Sequence, residues 1–176
     1  MSPATPDELK SAIRNIPDFP QPGIQFKDIT PLLANPRCFA GSIDQLTGSH
    51  RPGTIDVVAG IDARGFLFAS AVALRLEAGI VPVRKKGKLP YRTIEESYSL
   101  EYGANTLCMH VDAIQPGQRV LLVDDVLATG GTAAATASLI ERLGGQLVEV
   151  AFLIELSFLG GRAKLGRHPV RSVVTY

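Results

Sequence analysis

Cysteine is scarce in this sequence: Cys38 and Cys108 are the only two, they stand far apart, and neither belongs to a CxxC pair. That argues against a disulfide framework and a cysteine-based zinc site, and it suits packed thiols in a reducing compartment. Histidine is scarce too, and His50, His110 and His168 share no metal-ligand spacing, which leaves them structural roles. Charge of one sign is lacking, since 18 Lys plus Arg stand against 17 Asp plus Glu for a net charge of +1. So balanced a chain has no general attraction for nucleic acid or a membrane surface, and its partners must be sought in local patches. Also missing is any apolar run of about 18 residues. The first residues hold Pro3, Asp7 and Glu8 where a secretory leader needs a basic start and an apolar stretch. The expectation is a soluble cytoplasmic protein.

What is present fits one α/β domain over residues 1–176, with no repeat and no low-complexity tract. A chain of this length can bury on the order of 70% of its unfolded surface and needs no staple to fold. Its organising stretch is Val120-Leu121-Leu122-Val123-Asp124-Asp125-Val126-Leu127-Ala128-Thr129-Gly130-Gly131-Thr132. Four apolar residues in a row, without alternation, suit a strand covered on both faces, as in the middle of a parallel sheet flanked by helices. The two carboxylates are then expected just past its carboxyl end. Gly130 and Gly131 free the backbone to approach a ligand, and the Ala-rich run from Ala133 starts a helix whose first amides lack internal partners. Such a helix start favours an anion, while acids just upstream would repel it unless they serve something else, such as sugar hydroxyls. The motif therefore asks for a phosphorylated sugar, and a side chain at Gly130 is expected to block it while leaving the fold intact.

Earlier in the chain, Thr5-Pro6-Asp7-Glu8 predicts a capped helix carrying Leu9, Ile13 and Ile16 inward and ending near Pro17. Four prolines between Pro17 and Pro31 predict an ordered irregular segment with a short extended piece around Ile24 and Phe26. Thr30-Pro31 and Asn35-Pro36 read as helix starts, the second opening a longer helix with Phe39, Ile43 and Leu46. Ile55 to Ile61 reads as the first buried strand and Gly65 to Ala78 as the crossover helix, with Gly79 as its C-cap. Ile80 to Val83 is the next strand, running into the cations Arg84-Lys85-Lys86-Gly87-Lys88, and Leu89 to Gly103 is too polar for a core strand and reads as a hairpin arm. Leu147 to Leu156 and Ser172 to Tyr176 are the last strands. In such a sheet the loops after the parallel strands open on one side, which brings Asp62-Ala63-Arg64-Gly65 toward the acidic pair.

Val120 to Asp125 also matches the first strand and acidic pair of a two-component receiver, but receivers carry that element at their start, whereas here 119 residues precede it. With Thr129-Gly130-Gly131-Thr132 behind it, the stretch resembles the phosphoribosyl pyrophosphate (PRPP) signature of type I phosphoribosyltransferases. Arg84 to Pro90 and Ser97 to Gly103, which ends in a Ser-Leu-Glu-Tyr-Gly element, extend the likeness to the adenine branch of that family, and Asp124-Asp125 favours adenine over a 6-oxopurine.

The resemblance implies a central, mostly parallel sheet flanked by helices, a flexible hood at about 89–110, and transfer of ribose 5-phosphate from PRPP to N9 of adenine, giving AMP and pyrophosphate. It implies that Asp124 and Asp125 hold the ribose and offset charge, that Arg64 sits near the base or the leaving group, and that Glu101 transfers a proton under a lid that includes Tyr102. Ala128, Thr129, Gly130, Gly131 and Thr132 would grip the 5-phosphate, and Lys85 and Lys88 the pyrophosphate. Phe26, Arg64, Leu127 and Leu159 would border the base. Magnesium would come with PRPP rather than on a protein cage, and the chain would be a homodimer that binds neither nucleic acid nor membrane. A PRPP-sensing regulator is the rival reading; it would carry an added DNA-binding domain or a broad basic face, and neither is visible.

Overall fold

The computed structural model describes residues 3–99 and 104–176. The chain gathers into two compact units, one ending at Gln45 and one spanning Leu46–Tyr176, where the sequence shows no boundary. The first unit opens with helix α1 (Pro6–Ser11), closed by the capping box the sequence predicts: Glu8 N donates to Thr5 Oγ1 at 3.3 Å, and Thr5 N to the Glu8 carboxylate at 2.8 Å. This helix stops at Ala12, earlier than expected, and Ile16 lies instead on strand β1 (Arg14–Pro17), antiparallel to β2 (Gln25–Asp28). Prolines at 17, 20 and 22 cannot extend a helix, so the backbone of residues 14–17 finds its partners across a short ladder. Helix α2 (Thr30–Ala34) follows, its Thr30 N–H satisfied by Asp28 Oδ1 at 2.9 Å. Helix α3 (Pro36–Thr47) is capped by Asn35, whose Oδ1 accepts from Arg37 N and Cys38 N at 3.0 and 3.1 Å.

The second unit is built on β3 (Val57–Ile61), α4 (Gly65–Arg75), β4 (Gly79–Lys85), β5 (Thr93–Ser99), β6 (Ala104–His110), β7 (Arg119–Leu127), α5 (Gly131–Arg142), β8 (Gln146–Glu155) and β9 (Val170–Thr175). Its seven strands run in the order β5-β6-β4-β3-β7-β8-β9, parallel from β4 to β9, with β5 and β6 antiparallel at one edge. Strand alternation sorts the core. Val57, Ala59, Val120 and Leu122 share one apolar cluster with Ala133, Leu139 and Ile140 of α5. Gly60 points the other way, where a Cβ would come within 2.6 Å of Ala69 in α4. Helices therefore cover both faces, and Val120 to Val123 are fully buried, as the unbroken apolar run requires.

Two boundaries differ from expectation. Gly79 does not cap α4: Glu77 takes the left-handed backbone at φ 54°, and Gly79 opens β4, donating its N–H to Asp56 O at 3.0 Å. Strand β7 continues through the carboxylates to Leu127, because β8 pairs with it as far as Leu127↔Glu155. Its other neighbour, β3, pairs only to Val123, so Asp124 and Asp125 have a strand partner on one side alone while remaining buried. Among the described residues no helix is long and apolar enough to cross a membrane.

The amino ends of β3 and β7 are clasped by Asp56 and Arg119. Arg119 donates from its backbone N and Nε to Asp56 Oδ2 at 2.7 and 3.0 Å, and from Nη2 to Oδ1 at 2.6 Å. Those bonds, the side-chain ones foremost, hold the Asp56 carboxyl down to about 2 from an ordinary 3.8. A carboxyl lowered on folding adds stability above its unfolded value, and that stability is lost as pH falls through the folded value. In urea unfolding, Asp56→Asn should therefore be less stable than the parent near neutral pH, with the gap closing between pH 3.8 and about 2. A gap that stays constant over that range would show that the clasp does not act through charge.

Candidate active site

Past the carboxyl ends of β3, β4, β7 and β8 the chain places its loops together, and the ion pairs show how. Arg84, at the end of β4, donates from Nε to Asp62 Oδ2 at 2.9 Å, while Asp62 N continues the ladder to Val83 O, also at 2.9 Å. Two residues on, Arg64 stands at the start of α4 with its Nε 2.6 Å from Asp125 Oδ2. This is a charge contact rather than an aligned hydrogen bond, because Oδ2, buried, accepts none among the described residues. Asp125 N donates to Asp124 Oδ1 at 2.9 Å. Behind that oxygen is Gly65, where a Cβ would stand 2.5 Å from it. A side chain at residue 65 would push Asp124 out of place.

Burial raises the Asp124 carboxyl well above its usual value, and the charge of Asp125 beside it adds to the effect. Burial raises Asp125 as well, with Arg64 working against the rise. The pair is thus unequal: Asp124 takes a proton the more readily, and Asp125 keeps a countercharge. Of the four cations at the exit of β4, Arg84 is spent on Asp62 and Lys86 on Glu95 at 2.7 Å. The exposed Lys85 and Lys88 make no ion pair among the described residues.

The glycine-rich turn closes differently from expectation. Gly130 caps α5 in the left-handed conformation at φ 78°, with no side-chain cap, so the helix begins at Gly131, two residues earlier than the Ala-rich run suggests. A Cβ on Gly130 would overlap the carbonyl of Gly161, and one on Gly161 would overlap the carbonyl of Ala128. Gly131 faces the ring of Tyr98, 2.8 Å from where its Cβ would be. The glycines are thus consumed in seating the turn against its own chain, and a bulky residue at 130 cannot leave the local fold intact. What stays open is the uncapped first turn of α5 beside a cavity of about 70 Å³, bordered by Asp124, Leu127, Ala128, Thr129, Gly130 and Thr132. A 12-residue helix with an uncapped start is a site for an anion.

Other candidates are placed less directly. Leu127 borders the cavity but is 1% exposed, its side chain belonging to the core. Leu159 is 42% exposed on a 3-10 turn, Ser157–Leu159, after β8. Phe26 lies on β2 of the first unit, edge-on to Phe19 with centroids 5.1 Å apart. Glu101 and Tyr102 lie outside the described residues. The sequence reading placed Gly161 and Arg162 in a loop that closes the base pocket and Tyr98 in the hairpin arm, and gave none of the three a role of its own. Arg162 grips the buried Glu155 from Nε at 3.0 Å and Nη2 at 2.5 Å and donates from Nη1 to Val170 O at 2.8 Å, fixing the turn that carries Gly161. The one signal in the sequence was the Gly160-Gly161 pair after a buried strand.

Gly161 has no left-handed backbone to defend, so Gly161→Ala tests the close approach alone. The added methyl should cost about 1–3 kcal/mol of stability, as overpacking does, and should weaken anion binding at the start of α5. Unchanged urea midpoint and unchanged PRPP affinity in calorimetry would mean that the turn does not depend on this contact.

Comparison with known proteins agrees with this geometry. A family model described as "Phosphoribosyl transferase domain" matches residues 28–173. The chain is 59% identical to an adenine phosphoribosyltransferase of Acidothermus cellulolyticus over 175 residues, covering 99% of each. Among solved structures it is similar to adenine phosphoribosyltransferase from Rhodothermus marinus, with a TM-score of 0.92 at 55% identity, covering 97% of this chain and 98% of that one. The Saccharomyces cerevisiae enzyme, solved with an imino-altritol bisphosphate and adenine, gives a TM-score of 0.90 at 42% identity, covering 96% and 97%. With a family model over residues 28–173 and a relative 59% identical over 99% of both chains, the chain belongs to the phosphoribosyltransferase family and groups within it with the proteins named adenine phosphoribosyltransferase.

Proposed function

We propose that the chain transfers ribose 5-phosphate from PRPP to N9 of adenine, giving AMP and pyrophosphate. The observation that carries this reading is the unequal acid pair Asp124–Asp125 standing directly before the uncapped start of α5, a cation-stabilising and an anion-binding feature joined by one turn. A phosphorylated sugar that becomes positively charged as it reacts needs both. The yeast neighbour, which holds adenine beside a sugar-like bisphosphate, supports the same substrates.

The 5-phosphate sits at the amides of Ala128 to Thr132, with the Thr129 and Thr132 hydroxyls on it, which fixes the distance from α5 to the sugar. Asp124 and Asp125 then meet the ribose hydroxyls. Asp124, pushed toward its protonated form, can donate to one of them, and Asp125, whose upward shift Arg64 opposes, faces the positive charge that develops as pyrophosphate leaves. Lys85 and Lys88, unspent on other described side chains, take the pyrophosphate, and Arg64 stands within reach of the leaving group or the base. Phe26, Leu127 and Leu159 border the base, Glu101 takes the proton from it, and Tyr102 covers the site. No covalent nucleophile is required, since positioning and charge do the work.

A magnesium ion carried by PRPP would supply charge neutralisation to the departing pyrophosphate. Among the described residues no group of three or more His, Cys, Asp or Glu could hold a metal, and the two carboxylates Asp124 and Asp125 suit an ion carried mainly by the ligand's own oxygens. A homodimer is supported by α4, whose outward Leu67 and Leu74, 48% and 82% exposed, lie two turns apart on one face of a helix that is apolar nearly all round. Sedimentation at about twice the 18.8 kDa chain mass checks it. The buried, unpaired thiols of Cys38 and Cys108 support a reducing, cytoplasmic setting.

The direct test is turnover of PRPP with adenine against hypoxanthine, guanine, xanthine, uracil and orotate, with adenine the expected substrate; a protein that binds PRPP but turns over none of them is a sensor. In the same assay Glu101→Gln should lose about 10²–10⁴-fold in kcat with PRPP affinity retained. Glu95 and Glu96 serve as controls, because their carboxylates are already occupied by Lys86 and Arg142. Equal losses at all three positions would move the proton transfer elsewhere.

A further inference from the structure

Tyr98 has no part in the chemistry above, yet it touches the phosphate turn at two points. Its ring lies over Gly131, and its phenol is 3.0 Å from Thr132 Oγ1. The residue is firmly mounted. Strand pairing sets Tyr98 opposite Asn105, its neighbour Ser97 bonds the Thr106 hydroxyl at 2.9 Å, and the ring packs on the core cluster. Arg142, at the far end of α5, ties β5 to the helix through Glu95 O and the Glu96 carboxylate, both at 2.8 Å. Tyr98 and the first turn of α5 are therefore held at a fixed separation from two directions.

In the ligand-free chain Thr132 Oγ1 donates to the Tyr98 phenol, and because both groups are hydroxyls the roles can be exchanged by rotating the two protons. Thr132 has one proton and two lone pairs. If that proton goes to Tyr98, none is left for an anion at the start of α5. If Tyr98 gives its own proton instead, Thr132 accepts it and still donates to the anion. A charge-assisted bond is roughly twice as strong as a neutral one, so an arriving phosphate favours the second arrangement.

We propose that Tyr98 is a positioning residue for the 5-phosphate: its phenol fixes the Thr132 hydroxyl and, when a phosphomonoester occupies the start of α5, donates to Thr132 Oγ1 so that Thr132 gives its proton to a phosphate oxygen. No covalent bond changes; two hydroxyl protons rotate. The proposal rests on the assignment of the α5 start to the 5-phosphate, and it adds a residue from β5 to a grip otherwise made by the β7–α5 turn.

Tyr98→Phe keeps the ring over Gly131 and removes only the hydroxyl, and Thr132→Val keeps the shape of the threonine without its oxygen. Calorimetry with PRPP and with ribose 5-phosphate on the parent, each single variant and the double variant forms a closed cycle. Tyr98→Phe is expected to weaken both ligands about three- to tenfold in the parent background, as the loss of one hydrogen bond does, and to have no further effect in the Thr132→Val background. A merely structural contact would instead weaken binding by the same factor in both backgrounds. That result, or unchanged affinity in Tyr98→Phe, overturns this inference while leaving the phosphate site standing. A parent protein that binds neither ligand overturns the phosphate site and the inference with it.

Discussion

Two adjacent carboxylates at the end of a strand buried on both faces are an electrostatic burden, and much of the site can be understood as the way this chain carries it. Water cannot solvate Asp124 and Asp125 fully, and their charges repel. The chain answers asymmetrically, with one guanidinium for Asp125 and a tight seat against Gly65 for Asp124. That choice dictates the residues after β3, since the sequence must supply an arginine and then a residue without a side chain, in that order. It also leaves the pair poised, because the stabilisation that Arg64 gives is partial and Asp125 keeps an oxygen without a hydrogen bond among the described residues. A cationic ligand, or one that becomes cationic, completes the arrangement.

Much of this was legible in the sequence, for reasons specific to each element. Strand β7 could be read because a strand covered on both faces cannot alternate, and four apolar residues running straight into two acids suit the end of such a strand better than a helix or a half-exposed one. The cap of α1 and that of α3 could be read because Thr-Pro-Asp-Glu and Asn-Pro fix their backbone by local bonds alone. The errors came where a neighbour distant in sequence decided the matter. Residues 14–17 left the helix because residues 25–28 offered a ladder, and Gly79 left the cap because Asp56 needed its N–H. Strand β7 ran on past Val123 because β8 continued beside it.

The same distinction separates the legible from the hidden parts of the site. Asp124, Asp125 and the start of α5 lie in one short stretch of chain, so their nearness follows from order. Gly161 and Tyr98 reach the turn from beyond β8 and from β5, and apart from the Gly160-Gly161 pair nothing in their own neighbourhoods marks them. A glycine needed for a left-handed turn leaves a trace in the local sequence, whereas a glycine needed because another backbone passes within touching distance leaves none. Gly130 is required for both reasons and Gly161 only for the second, which is why one was singled out from sequence and the other was not.

The pairing of β3 with β7 has a consequence for how the protein reaches this arrangement. Asp56 and Arg119, which clasp the two strands, are 63 residues apart in the chain, whereas Ser99 and Ala104, at the closed end of β5 and β6, are almost neighbours. By simple chain statistics, closing the longer loop costs about 2 kcal/mol more entropy than closing the shorter one. Arg64 and Asp125 meet only once that longer loop is closed, so the site comes into being with the most non-local part of the topology. A hairpin at the edge of the sheet can form while the two halves of the candidate site are still strangers, and contact order therefore slows assembly of that region most.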